Sequence, residues 1–130
     1  LSVLQRRADF LAANRGLRVA RPGFVLLVRP NSGAEGSPEG GLGKRYGITV
    51  TKKIGNAVVR NRMKRRFREL LRAALPEHGL LDHDHVLIGR ERGVERDFDL
   101  LGEELRDALA RAAAGRGDPP RRRKQGAPRK

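Results

Sequence analysis

Between Asn56 and Ala74 the apolar residues Val59, Met63, Phe67, Leu70, Leu71 and Ala74 recur at helical spacing. Only a helix puts such positions on one face, so the spacing demands a long α-helix with a buried stripe. Gly55 breaks the extended segment before it, and Asn56 is a good N-cap whose side chain can accept from the N–H groups that follow. Pro76 lies near the expected end. Met63 and Phe67 sit within the stripe and read as packing residues.

The opposite face is unusual. Arg60, Lys64, Arg68 and Arg72 follow one another at four-residue intervals, with Arg62, Arg65 and Arg66 beside them. Like charges at that spacing cost a helix roughly 0.2–0.5 kcal/mol per pair, so three pairs cost on the order of 1 kcal/mol. Glu69 is the acid available to offset them. A helix that meets only solvent mixes its signs, as Asp99–Ala114 does with Glu103, Glu104, Arg106, Asp107 and Arg111. A phosphate backbone would supply the missing negative charge and release counterions on binding. Lys52 and Lys53 extend the basic patch, and the helix N-terminus near Gly55–Ala57 adds positive dipole and free N–H groups. Asn61, on the basic side, can hydrogen-bond a phosphate, a sugar hydroxyl or a base edge.

Composition agrees. The 130 residues suffice for one compact domain, and 29 Lys and Arg against 15 Asp and Glu leave a formal charge of +14. That charge points to a polyanionic partner, nucleic acid before an anionic membrane or an acidic protein. With no cysteine, disulfides and thiolate metal sites are excluded, which fits a reducing cytoplasm. Apolar runs such as Phe24–Val28 are too short to span a bilayer. The opening LSVLQRRADF lacks the apolar core of a secretory signal.

Along the chain, Arg7–Asn14 reads as a short helix stopped by Gly16. Leu17–Ala20 and Phe24–Arg29 read as strands around the turn Arg21-Pro22-Gly23. Pro30–Lys44 reads as a mobile loop, Arg45–Thr51 as a half-buried strand with Tyr46, Ile48 and Val50 on one side, and His85–Arg90 as a fourth strand. Asp99–Ala114 is a third helix whose apolar face is Leu101, Leu105, Ala108, Leu109 and Ala112. The expected fold is α+β in the order αβββαβα, a domain over residues 1–114 followed by a disordered basic tail over 115–130. That tail, with Arg121–Lys124, Arg129 and Lys130, reads as a nonspecific RNA-contacting arm.

Two motifs promise chemistry and do not supply it. Asp82–His85 (DHDH) offers carboxylates and imidazoles, but adjacent residues of a strand point to opposite faces and do not converge on a metal. Gly40–Lys44 (GGLGK) lacks the first glycine of a phosphate-binding loop, is followed by Arg45, and leads into a strand. The histidines, His78, His83 and His85, lie apart from the basic helix, and no catalytic constellation can be assembled from them. The residues by themselves leave open an RNA-processing partner protein, a plain RNA- or DNA-binding module such as a ribosomal protein, and a stand-alone nuclease.

The run TKKIGNAVVRNRMKRR resembles the signature of the bacterial ribonuclease P protein subunit: Lys-Lys-x-Gly-Asn-Ala-Val, then Arg-Asn-Arg, then a Lys-Arg pair. RADF, GFVLLV and HVLIGR resemble further family segments in the same order, over roughly residues 4 to 113. The resemblance implies a small mixed sheet packed with helices, with a left-handed βαβ crossover through the basic helix, as in the second domain of a small-subunit ribosomal protein. It implies a protein that is not catalytic alone. Its partners would be a catalytic RNA and precursor tRNA, with no membrane and no obligate protein partner, and the pair would remove the 5′ leader endonucleolytically. The Mg²⁺ used would be bound mainly by the RNA. Carried over residue by residue, the RNA-binding positions are Lys52, Lys53, Asn56, Arg60, Asn61, Arg62, Lys64, Arg65 and Arg66, with Arg68 continuing the same face. Phe10 would line a cleft for the leader, although its clustered apolar neighbours also allow a plain core position. This chain has Asn14 and Leu27 where some members carry further aromatics, so the resemblance implies leader binding that leans on charge more than on stacking.

Overall fold

The computed structural model describes residues 1–31 and 43–117. Most of the expected Pro30–Lys44 loop, the first part of GGLGK and the tail from residue 118 onward lie outside them. The described residues form β1 (Ser2–Val3), α1 (Arg7–Ala13), β2 (Leu17–Arg21), β3 (Phe24–Pro30), β4 (Arg45–Thr49), α2 (Ala57–His78), β5 (His83–Gly89) and α3 (Phe98–Ala113). The expected order αβββαβα is present, preceded by β1. Two residues carry no period, which is why β1 escapes a sequence reading.

The strands form one mixed sheet in the order β1-β4-β5-β3-β2. β3 pairs antiparallel with both β2 and β5, whereas β4 pairs with β5 in parallel, so α2 is the crossover connection between β4 and β5. β1 pairs in parallel with the first residues of β4, placing Ser2 against Arg45 and Val3 against Tyr46.

β3 explains why the helices lie on both faces. Phe24, Leu26 and Val28 enter the larger core with α2 and α3, while Val25 and Leu27 enter a smaller core under α1. A continuous apolar run suits a central strand covered on both sides. Phe67, fully buried, meets Phe24 edge to face with ring centroids 6.3 Å apart.

The basic helix starts as expected, the Asn56 side chain accepting from Val59 N–H at 3.0 Å. Met63, Phe67, Leu70, Leu71, Ala74 and Leu75 are its buried residues. It continues through Pro76 to His78, and Lys44 Nζ donates to the carbonyls of Leu75 and Pro76 at 2.9 and 2.8 Å. That ammonium satisfies acceptors at the negative end of the helix. Asp97 caps α3 by accepting from Leu100 N–H at 3.0 Å. The expected β4 is shorter than its alternation suggests: Val50 and Thr51 leave the strand, and Lys52–Ile54 form a 3-10 turn leading to Gly55.

Candidate nucleic-acid interface

Tertiary contacts sort the cations of α2 into groups that their spacing does not distinguish. Lys52 and Lys53 on the 3-10 turn are exposed, as are Asn56, Asn61, Arg62, Arg65 and Arg68 on the helix. Arg62 has only a loose, exposed ion pair with Glu95, at 3.5 Å. Arg60 is half-buried and turns back, its Nε donating to Gly55 O at 3.1 Å. Arg66 is also half-buried. Its guanidinium donates to the carbonyls of Val94 and Arg96 and lies 5.7 Å from the centre of the Phe98 ring. Among the expected RNA-binding cations, Arg66 thus also holds the segment before α3.

Lys64 and Arg68 line hollows that Phe10 of α1 also borders. A groove of about 580 Å³ runs between α1 and the sheet. Leu27, Val86 and Ile88 floor it, Phe10, Leu11 and Asn14 line it from α1, and Ile48 and Lys64 line it from β4 and α2. Phe10 also borders a smaller hollow of about 180 Å³ with Gly47, Lys64 and Arg68. Half-buried, Phe10 packs against the smaller core and at the same time lines the groove. Asn14 and Leu27 line that groove too. A sequence reading misses Gln5, Arg7 and Thr49, which also line it, because nothing in their spacing ties them to the basic helix.

Beneath α1 lies a buried polar cluster. Arg45 donates from Nε and Nη2 to the two oxygens of Asp84 at 2.7 and 2.8 Å, and Asn31 Nδ2 donates to Asp84 Oδ1 at 2.9 Å. The Asp84 hydrogen bond raises the Arg45 pKa further, so this guanidinium stays charged. Arg45 also lies 3.7 Å from Asp9 of α1. The neighbouring His85 turns to the other face, as strand alternation requires. Its Nδ1 meets Arg45 O at 3.0 Å, and its Nε2 accepts from Leu80 N–H at 3.0 Å. Burial is the main cause that lowers its pKa to about 4, so His85 is a neutral Nδ1–H tautomer. Asp84 and His85 of the DHDH run are therefore structural pins of β5. Among the described residues no group of three or more His, Cys, Asp or Glu could hold a metal ion, and no helix is long and apolar enough to cross a membrane.

Fold and surface together define an α+β protein with a one-sided basic helix beside an apolar-floored groove, the features of a nucleic-acid-binding protein. The ribonuclease P family model matches residues 2–113. The ribonuclease P protein component of Erythrobacter litoralis (strain HTCC2594) is 69% identical over 124 residues, covering 95% of this chain and 96% of that one. The component from Ruegeria pomeroyi is 43% identical over 115 residues, covering 88% of each. Among solved structures, the ribonuclease P protein of Thermotoga maritima superposes with a TM-score of 0.68 at 32% identity, covering 83% of this chain and 94% of that one. The Staphylococcus aureus protein gives 0.66 at 31% identity, covering 85% and 94%. The chain belongs to the bacterial ribonuclease P protein family, the protein component of an endoribonuclease that works with an RNA subunit.

Proposed function

We propose that this chain divides its RNA contacts between two surfaces. The exposed face carrying Lys52, Lys53, Asn56, Asn61, Arg62 and Arg65 contacts the catalytic RNA. The groove between α1 and the sheet takes the single-stranded 5′ leader of precursor tRNA. The observation that carries this reading is the groove itself: an aromatic ring, Phe10 of α1, and a cation, Lys64 of α2, line one cavity with the apolar Leu27, Val86 and Ile88. Stacking plus backbone neutralisation is how single strands are held. Arg68 extends the cationic side of the groove toward the smaller hollow. Arg60 and Arg66 shape the helix and its neighbour, and reach RNA only with the nitrogens their protein contacts leave free.

In this reading the Mg²⁺ that cleavage uses is bound mainly by the RNA subunit. The protein's contribution is binding and orientation of the leader at a site in the cytoplasm, where the RNA partner and precursor tRNA meet. The test is equilibrium binding by the holoenzyme reconstituted with its RNA. Phe10→Ala should weaken binding of precursor tRNA carrying a leader by about 1–3 kcal/mol, while affinity for mature tRNA holds. Equal losses for both would move the leader out of this groove.

A further inference from the structure

We propose that Gly47 is a positioning residue for leader binding: the missing side chain on β4 sets the depth at which the Phe10 ring sits, and so the shape of the groove. This rests on the leader-groove reading. Gly47 is buried within β4, its Cα partner being Val86 on β5. Its backbone is ordinary strand backbone that any residue adopts, so the glycine is there for space and not for conformation. A Cβ at this position would stand 2.5 Å from Phe10 Cε1 and 2.6 Å from Cζ. Carbon atoms in contact rest about 3.5–4.0 Å apart, so the ring would have to retreat by roughly 1 Å or more.

The surroundings decide where it goes. Leu4 Cδ1 lies 3.2 Å from the same Cβ position, so the added methyl is crowded on that side too and cannot shift to spare the ring. The helix cannot easily swing away as a body. Asp9, next to Phe10, lies 3.7 Å from Arg45, a cation locked in place on the sheet by two short hydrogen bonds to the fully buried Asp84. Ala13, on the same helix, is completely buried. The open directions are the groove and the smaller hollow, both bordered by the ring. A methyl group at position 47 therefore changes the leader site through Phe10, with no contact of its own to RNA.

The experiment measures, on the reconstituted holoenzyme, the ratio of affinities for leader-carrying precursor tRNA and mature tRNA. Gly47→Ala should lower that ratio on the order of tenfold, the size of one lost stacking contact. In a Phe10→Leu background, which already lacks the ring, adding Gly47→Ala should change it no further. An unchanged ratio for Gly47→Ala, or the same drop in both backgrounds, would overturn the proposal. If Gly47→Ala lowers the melting temperature, Phe10→Leu should restore it by vacating the space; failure to restore it also counts against the proposal. Phe10→Ala separates the two ideas. No effect of Phe10→Ala on the ratio would remove the leader-groove reading itself, whereas an effect of Phe10→Ala without one of Gly47→Ala removes only the role of Gly47.

Discussion

Arg45 and Asp84 face each other across the parallel β4–β5 pair and share two parallel N–H···O bonds of 2.7 and 2.8 Å, the carboxylate wholly out of solvent. Removing one partner of a buried pair strands the other charge, which typically costs 3–5 kcal/mol. Asp84→Ala should lose about 3 kcal/mol of unfolding free energy, toward the low end because Arg45 keeps some access to water. Arg6→Ala, which removes only an exposed partner of Asp9 at 3.7 Å, should lose less than about 1 kcal/mol. Urea denaturation of both variants checks the contrast, and similar losses would contradict it.

Arg62 and Arg66 are one helical turn apart and should nevertheless fail differently. Arg66→Ala removes two hydrogen bonds to backbone carbonyls and a ring contact, so it should destabilise the protein by about 1–3 kcal/mol. Arg66→Lys should not restore it, because an ammonium cannot reproduce the planar fork. Arg62→Ala should leave the melting temperature within a few degrees and weaken assembly with the RNA subunit. Thermal melts and RNA-binding titrations on the same samples tell the two apart.

His85 makes stability depend on pH. Its folded-state pKa is lowered to about 4 from the ordinary 6.5, so between these values the unfolded chain binds the extra proton and the folded one does not. Stability should therefore be full above about pH 6.5 and fall on acidification toward pH 4, by about 3 kcal/mol in all from this residue. An NMR titration should show the His85 imidazole neutral at pH 5.5. A midpoint near 6.5 would mean that the ring is not desolvated as its burial implies.

Lys64 should reveal itself through salt. If it neutralises one leader phosphate, Lys64→Ala should reduce the slope of log affinity against log salt by about 0.7, the value for single strands. The change should appear with leader-carrying precursor tRNA and vanish with mature tRNA. An unchanged slope would place Lys64 off the leader's path.

Much of this protein follows from local sequence. The α2 stripe of Met63, Phe67, Leu70, Leu71 and Ala74, its Asn56 cap and the uniform charge opposite are all legible, because helical period and capping are short-range properties. The same holds for the buried face of α3 and for the alternation that splits Asp84 from His85. What needed tertiary structure is which cation is free. Arg62 and Arg66 occupy equivalent places in the sequence pattern. They differ because the segment Val94–Arg96 and the Phe98 ring, some thirty residues away in sequence, close over one and leave the other at the rim. Phe10 likewise lies where it does because β4, far along the chain, offers a glycine beneath it and Arg45 beside it. Periodicity records which face of an element turns inward, but the partner it meets there is set by packing between segments distant in sequence, and no local pattern encodes that meeting.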